Sequence, residues 1–407
     1  MIGCKIERIH LDSIMKNNLG KSVVFLGVND LQIGALIGAK SSGFICVGFD
    51  RNNNAKGRRY CDYFFNIDAT DISALFSKIN FLQFDVYGIW ANNDILIPTR
   101  LVLSKMLGIK DTDIDVGIRM LDKLSFRSLV GTKNYFIPWA MIDVDQNESP
   151  LGYPVITKPV IGGGSQGVSI LSNQDEFLDA NKDLPILIEK YVEGYELGIN
   201  AFYDGKDTHR LGAVYRYFNH MAHPVPIGTI TEYDGELSSK AFEVLEDYIS
   251  EINYYGMVKA DILVDQDDNV YMLELSPRFH GEIDTEYVFS YLDYSIPKQY
   301  FKYLANASFE INPFINDHNF GYLSLFLYDH VEVPKIDLSV LPLGKFGDID
   351  ILHYSFHRYC GDKINKTPKS TYDIVVFSFF RSKNKITDDE FLIYSEKLNE
   401  MFNDNYD

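Results

Sequence analysis

The sequence predicts a mixed α/β and α+β fold, with an open parallel α/β sheet at the N-terminus and a small β-rich domain at the C-terminus. Strand, helix and strand patterns alternate from Ser22 to Asp50, as in the βαβ unit of a parallel sheet. A glycine-rich hairpin pattern at 155–171 and a strand pair at 256–278 indicate antiparallel sheets in the middle of the chain. An aromatic, β-rich stretch follows from about residue 310 to 381.

The N-terminal elements follow from apolar runs separated by turns. Residues 22–27 read as a short buried strand, 31–43 suit a helix, and 44–50 form a second buried strand. A further strand and helix continue the alternation at 85–90 and 98–109. The turn after the first strand lacks the glycine spacing of a dinucleotide-binding loop. We interpret it first as a turn or the wall of a small-ligand site, and second as a nucleotide site with Asp50 as its ribose acid.

The composition excludes several classes of protein. The formal net charge is −19 at pH 7, which repels polyphosphate backbones and argues against nucleic-acid binding. Residues 1–21 lack an apolar signal core, and no uncharged apolar run approaches the roughly 18 residues of a membrane span. Four scattered cysteines fit reduced thiols. We therefore expect a cytoplasmic protein with small-molecule substrates and no nucleic-acid or membrane partner.

A lysine followed by a glycine-rich loop is the most informative stretch of the chain. Lys158 precedes Gly162, Gly164 and Gly167, and such a loop leaves backbone N–H groups uncovered beside a full positive charge. This combination suits phosphate binding. The glycine spacing is that of a dinucleotide fold, but 168–171 is β-like rather than helical, so we predict the turn of a β-hairpin. On the loop alone, an ordinary hairpin is an equally good interpretation.

Three helices are predicted beyond the N-terminal region. The stretch from Met120 to Pro138 is helix-like, and 388–402 forms the last helix. Residues 238–254 form an amphipathic helix, whose apolar stripe we interpret as core: Phe242, Leu245, Ile249 and Ile252.

Charged residues inside two buried runs indicate a metal site. Lys259 and Asp261 are two apart on one predicted strand, and Glu274 and Ser276 are two apart on the next, so each pair shares a face of the sheet. Burying a carboxylate is costly unless it is paired or binds a cation. Carboxylates completed by phosphate oxygens and water are what Mg²⁺ prefers. The alternative is an ion-pair network between Lys259 and Asp261 on a solvated face.

Taken in order, these motifs resemble the ATP-grasp superfamily of the carboxylate-amine ligase type, similar to amino-acid ligases and with a biotin-carboxylase-like N-terminal domain. The resemblance covers roughly Ser22 to Tyr300. It rests on Asp122-Lys123, Lys158-Pro159 with its glycine-rich lid, Ile188 to Val192, Glu196 and the run Glu274-Leu275-Ser276-Pro277-Arg278. The last run departs from the family pattern, because serine replaces asparagine at Ser276.

The resemblance implies a role for each site residue. Two lysines and the lid would bind the ATP phosphates: Lys123, Lys158, Gly163, Gly164, Ser165 and Gln166. Adenine would be read by the Glu189 side chain and the Tyr191 and Val192 backbone, and the ribose by Glu196. Magnesium would be held by Asp261, Glu274 and Ser276. The catalytic residues would be Arg278, at the acyl phosphate, Lys259, near the transferred phosphate, and His280.

The implied fold is an ATP-grasp domain whose two α+β lobes clasp ATP. Its expected domains are an N-terminal α/β domain at 1–115, a small lobe with the lid at 116–192, a large lobe with the metal site at 193–305 and a C-terminal domain at 306–407. The implied cofactors are ATP and Mg²⁺, with Mn²⁺ as a substitute. A homodimer is the common expectation for such folds.

The implied reaction is phosphorylation of a small carboxylic acid, such as an amino acid, followed by coupling of the acyl phosphate to an amine. One alternative is a biotin-carboxylase-like or purine-type carboxylase that uses bicarbonate. Another is a nucleotide-binding module that the serine replacement has impaired. Residues 215–236 and 280–282 are candidate substrate contacts, and His220 and His223 fit a substrate-facing loop better than a zinc pair. His280 fits an acceptor contact and a hydrogen-bonded cleft histidine equally well.

Overall fold

The structure is a computed structural model of the 407-residue chain. It describes residues 20–130, 135–142, 146–180, 186–218, 225–232, 235–281, 294–306, 308 and 318–406. No helix in these ranges is long and apolar enough to cross a membrane.

The N-terminal part is a parallel sheet, as predicted, and it has four strands where the sequence analysis named three. Its strands are β1 (Lys21–Leu26), β2 (Ile45–Phe49), β3 (Tyr63–Phe65) and β4 (Asp85–Trp90), in the order β3-β2-β1-β4. Its helices are α1 (Ile33–Ser41), α2 (Ile72–Leu82), α3 (Ile97–Leu107) and α4 (Ile114–Arg119). The apolar runs form strands buried on both faces, with Val23, Val24 and Phe25 fully inaccessible to solvent. Because β1 and β4 pair in parallel, their carboxyl ends lie at the same edge of the sheet.

A second, antiparallel sheet carries the glycine-rich hairpin. It contains β5 (Trp139–Ile142), β6 (Val155–Pro159), β7 (Ser169–Leu171) and β8 (Ile186–Lys190), in the order β5-β8-β6-β7. The short helix α5 (Gln174–Asp179) follows β7. The predicted hairpin is confirmed, because β6 and β7 pair on either side of the glycines.

The predicted helix-like stretch after Met120 is wrong over its described part. It contains turns and one short 3-10 helix, Phe126–Ser128. The Asp122 carboxylate accepts from Leu124 N (2.9 Å) and Ser125 N (2.6 Å), which favours a tight turn over a continuing helix.

The third sheet has nine antiparallel strands and forms the body of the molecule. Its order is β13-β12-β9-β10-β11-β14-β17-β16-β15. The strands are β9 (Gly194–Tyr203), β10 (Thr208–Phe218), β11 (Pro226–Thr231), β12 (Gly256–Asp265), β13 (Val270–Ser276), β14 (Asn319–Phe326), β15 (Gly344–Phe346), β16 (Ile349–Phe356) and β17 (Ile374–Ser382). The predicted C-terminal strands are confirmed, and pairing of β11 with β14 makes them continuous with the preceding strands.

Three helices complete the fold. The predicted amphipathic helix is α6 (Glu236–Glu251), and its stripe of Phe242, Leu245 and Ile249 packs in the same core as β9 and β12. Helix α7 (Ile296–Asn306) packs against the N-terminal sheet, where the Phe301 ring lies 5.3 Å from that of Trp90. The last helix, α8 (Asp388–Asn403), begins with a capping box.

Candidate active site

A single cavity brings together almost all of the predicted site residues. It has a volume of about 350 Å³, within the range of small-molecule sites. Its lining includes every predicted residue except Ser276 and His280: Lys123, Lys158, Gly163, Gly164, Ser165, Gln166, Glu189, Tyr191, Val192, Glu196, Lys259, Asp261, Glu274 and Arg278. The walls come from the hairpin sheet and the nine-stranded sheet, so the sequence motifs converge only in the folded chain.

The two predicted phosphate lysines are held by their own surroundings. Lys123 N donates to Val160 O (3.0 Å), and Lys123 Nζ donates to Gly162 O (2.6 Å) and lies 3.4 Å from Glu274 Oε2. Lys158 lies at the end of β6, is 8% exposed and contacts the Glu189 carboxylate. Both ammonium groups therefore face one cleft beside the glycine loop.

The lid has backbone conformations that favour glycine. Gly162, Gly164 and Gly167 all have positive φ angles, of 136°, 66° and 71°. Gly164 O also accepts from Thr371 N at 3.0 Å, and Thr371 lines the cavity. Thr371 begins the 3-10 turn before β17, so a C-terminal residue that the sequence did not single out contacts the lid.

We expect Gly164→Ala to raise the KM for ATP by about tenfold, since a left-handed conformation costs a non-glycine residue about 1–2 kcal/mol. A Cβ at Gly164 would lie 2.8 Å from Thr371 Oγ1. Gly163→Ala is the matched control, because no atom lies within 4 Å of its Cβ position. Steady-state ADP release measures both variants, and equal KM values would refute this account of the lid.

The Glu189 side chain contacts two cations, and its predicted role at the adenine stays a prediction. Its carboxylate is 1% exposed and contacts both Arg127 Nη2 and Lys158 Nζ. Burial opposes the charged form, but the charges of Lys158 and Arg127 outweigh it and lower the pKa of Glu189. Because both oxygens already face cations, we interpret Glu189 as the residue that orients Lys158.

The predicted hinge has one backbone donor that is already used. Tyr191 N donates to Pro154 O at 3.0 Å, so this N–H is not the group that reads a base edge. Val192 remains a predicted contact. Apolar side chains line the cavity nearby and suit a flat aromatic ring: Ile137, Ile156, Ile170, Leu263 and Leu273.

The two predicted metal carboxylates face each other across paired strands. Asp261 on β12 is opposite Glu274 on β13, and Lys259 is opposite Ser276, as the period of two predicts. Lys259 Nζ lies 2.9 Å from Glu274 Oε1 and 3.3 Å from Asp261 Oδ2. Burial disfavours the ionised form of both acids. At Asp261 the charges of Arg216 and Lys259 outweigh burial and lower the pKa of the carboxyl group. At Glu274 the charges of Lys259 and Lys123 do the same.

This donor set fits magnesium. No group of three or more His, Cys, Asp or Glu in the described ranges could hold a metal ion by itself. Two carboxylates completed by phosphate oxygens and water are the usual protein contribution to a Mg²⁺–nucleotide site. Asp261 and Glu274 therefore fit a metal that arrives with its nucleotide.

Arg216 lines the cavity and lies within the predicted substrate-contact segment 215–236, although the sequence analysis did not single it out. It lies on β10, and its Nη1 is 2.6 Å from Asp261 Oδ1 and 2.9 Å from Glu196 Oε1. Burial, and then the nearby charge of Asp261, raise the pKa of Glu196 despite Arg216. The role of Glu196 at the ribose stays a prediction. Arg216 was inconspicuous because its acidic partners lie 20 and 45 residues away.

The structure favours the hydrogen-bonded interpretation of His280. Its Nε2 lies 2.8 Å from Asp261 Oδ1, and its backbone N donates to Asn200 Oδ1 at 2.8 Å. The ring is 3% exposed, and burial lowers the pKa of His280 to about 4. A buried neutral histidine beside Asp261 orients that carboxylate, and a catalytic contact of His280 stays a prediction. His220, His223 and Glu282 lie outside the described residues.

Arg278 and Ser276 share a partner from the N-terminal sheet. Arg278 forms a two-point ion pair with Asp94, with Nε–Oδ1 and Nη2–Oδ2 distances of 2.6 and 2.7 Å. Ser276 Oγ donates to Asp94 Oδ1 at 2.7 Å, so the hydroxyl proton is directed toward this acid. Metal ligation by Ser276 stays a prediction.

The Asp50 carboxylate accepts from Val28 N and Asn52 N and supports a turn of the N-terminal sheet.

The central part of the chain matches a known domain family. The profile of the ATP-grasp domain family matches residues 122–282. The carbamoyl phosphate synthase large chain of Agathobacter rectalis is 27% identical over 188 residues, which is 43% of this chain and 17% of that protein. The large chain of Clostridium botulinum is 26% identical over 150 residues, 34% of this chain and 14% of that protein. The chain thus matches less than a fifth of the length of these relatives.

Solved structures share the fold over nearly the whole chain. The L-amino acid ligase of Bacillus licheniformis superimposes with a TM-score of 0.70 and 15% identity, covering 95% of this chain and 98% of that one. The N5-carboxyaminoimidazole synthetase of Staphylococcus aureus gives 0.64 and 17%, with coverages of 95% and 98%. The biotin carboxylase domain of Hydrogenobacter thermophilus 2-oxoglutarate carboxylase gives 0.62 and 14%, with coverages of 90% and 86%. Residues 122–282 therefore match the ATP-grasp domain family, and the fold of nearly the whole chain is similar to that of these solved structures.

Proposed function

We propose that this protein is an ADP-forming carboxylate-amine ligase that uses ATP and Mg²⁺. The observation that carries the proposal is the convergence of two lysines, a glycine-rich lid, two opposed carboxylates and an arginine on one cavity of about 350 Å³. These groups suit phosphoryl transfer, in which positioning and charge neutralisation supply most of the catalysis.

In the first step, an oxygen of a carboxylate substrate attacks the γ-phosphorus of ATP, and the bond to the β-phosphate oxygen breaks to release ADP. Lys123 and Lys158 neutralise charge on the phosphates, and the lid amides donate hydrogen bonds to the phosphate oxygens. Asp261 and Glu274 would hold a magnesium ion, which would neutralise charge on the phosphates; Mn²⁺, with similar ligand preferences, would be a substitute.

In the second step, the lone pair of an amine attacks the acyl carbon. The carbon–oxygen bond to the phosphoryl group breaks, inorganic phosphate leaves, and the nitrogen loses a proton to give an amide. Arg278 lines the cavity close to the carboxylates and would stabilise the negative charge of the acyl phosphate.

An amino acid is the carboxylate we propose. The similarity in fold to an L-amino acid ligase along 95% of the chain supports this choice. The cavity also has aromatic and apolar walls beside Arg216, formed by Phe218, Pro226 and Tyr322, which suit an organic side chain. A bicarbonate-dependent carboxylase is the second candidate, supported by the similarity to the carboxyaminoimidazole synthetase and the biotin carboxylase domain.

A substrate panel tests the proposal. The protein is supplied with MgATP and single amino acids, pairs of amino acids, other carboxylates with amines, or bicarbonate, and ADP release and product mass are followed. We expect ADP release that depends on an amino acid, with an amide product of matching mass. Release that depends only on bicarbonate would favour the carboxylase. Tight MgATP binding without turnover on any combination would favour a nucleotide-binding module.

The remaining expectations belong to the same proposal. They are a cytoplasmic location, a homodimeric assembly and domain boundaries near residues 115, 192 and 305. Size-exclusion chromatography with light scattering would test the dimer.

A further inference from the structure

The N-terminal sheet reaches the cleft through the segment after β4. Asn92 Nδ2 donates to His280 O at 3.1 Å, and Arg100 Nη1 donates to Pro277 O at 2.6 Å. Asp94 lies between these two residues, where a short 3-10 turn begins before α3. The N-terminal part therefore contacts the strand end that carries Arg278 at three points.

Asp94 makes the most specific of these contacts. Both of its oxygens accept from the Arg278 guanidinium, at 2.6 and 2.7 Å, and Oδ1 also accepts from Ser276 Oγ at 2.7 Å. Arg278 Nη1 donates to Phe279 O at 2.9 Å. A guanidinium has five N–H groups, and these contacts within the described structure use three of them. The rest of the planar group stays directed at the cavity that Arg278 lines.

The geometry points to Asp94 as a positioning residue for Arg278, so that the N-terminal domain completes the phosphoryl-transfer site. This inference rests on the proposed function. A two-point ion pair fixes the plane of the guanidinium as well as its place. The same ion pair gives Ser276 a role, because its short hydroxyl donates to Asp94. Glu274, two residues earlier, faces Asp261 instead.

The test replaces Asp94 with asparagine and uses Asp30→Asn as a matched control. Asp30 begins the equivalent 3-10 turn after β1, and its Oδ2 lies 2.8 Å from Lys56 Nζ, so it forms an ion pair with another residue of the N-terminal domain and does not line the cavity. We expect Asp94→Asn to lower kcat by about 100-fold, the effect of a reacting group misplaced by about 1 Å. The KM for ATP should change little, since Asp94 does not line the cavity. Asp30→Asn should leave both constants unchanged.

A second readout does not depend on turnover. Phenylglyoxal modifies accessible arginines, and peptide mass spectrometry follows the rate at Arg278 in the full-length protein. Loss of the charged partner should speed its modification by about tenfold in Asp94→Asn, with no change in Asp30→Asn.

The two readouts separate the inference from the proposed function. Unchanged labelling of Arg278 in Asp94→Asn, or a kcat like that of Asp30→Asn, would overturn the positioning role. A wild-type protein that turns over no substrate of the panel, yet shows the labelling difference, would instead refute the ligase while confirming that Asp94 holds Arg278.

Discussion

Replacing Glu274 with glutamine is expected to lower the kcat for ADP release by about 10²–10³-fold, the usual loss when a charge-stabilising group is removed from an active site. Glutamine keeps the shape of the side chain and removes its charge. The carboxylate now faces Asp261 across the paired strands and contacts Lys259 and Lys123. Its loss removes one of two acids that fit Mg²⁺ and releases both lysines from a shared partner.

The control for this variant lies in the turn of the same hairpin. Asp267→Asn changes an exposed acid between β12 and β13 and should leave turnover unchanged. The thermal unfolding of Glu274→Gln is measured before its kinetics, to establish that the variant is folded. This check is needed because removing one member of a buried ion pair is destabilising. If Glu274→Gln folds and retains at least half of the wild-type kcat at saturating Mg²⁺, Glu274 is not a metal ligand.

The parts of the site that could be predicted are those encoded by local pattern. Lys158 and its glycines lie within ten residues of one another, so strand propensity and turn chemistry were enough to place the hairpin. Asp261 and Glu274 followed from a period of two within strands joined by a short turn. In each case the partners are close in sequence, and the backbone itself sets their geometry.

The residues that the sequence analysis did not single out have partners far away in the chain. Asp94 and Arg278 are 184 residues apart, and Arg216 and Asp261 are 45 apart. Nothing in a single strand shows which charge it will meet across a sheet or a domain boundary. Glu189 illustrates the same limit, because its partner Arg127 lies 62 residues earlier, in a stretch that looked helical. The resemblance placed Glu189 at the cleft with a role at the adenine, whereas the folded contacts also pair its side chain with Arg127 and Lys158.

Lys158→Met should raise the KM for ATP and lower kcat/KM by about 100-fold, since one of the two phosphate-neutralising charges is lost while the apolar stem is kept. Lys190→Met is the matched control, because it replaces an exposed lysine on the neighbouring strand β8. Steady-state kinetics with varied ATP measure both. The fold should survive, because Glu189 retains Arg127 as a buried partner.

A further variant tests whether Glu189 acts by orienting Lys158. Glu189→Gln should lower kcat/KM for ATP by a smaller factor, since the lysine keeps its charge and loses only its fixed position. If Glu189 acts through Lys158, adding Glu189→Gln to Lys158→Met should cause little further loss, as expected for two residues that act as one unit. Losses that simply multiply would show that Glu189 contacts the nucleotide independently, which would support its predicted role at the adenine. A Lys158→Met enzyme with wild-type kinetics would remove the lysine from the phosphate site altogether.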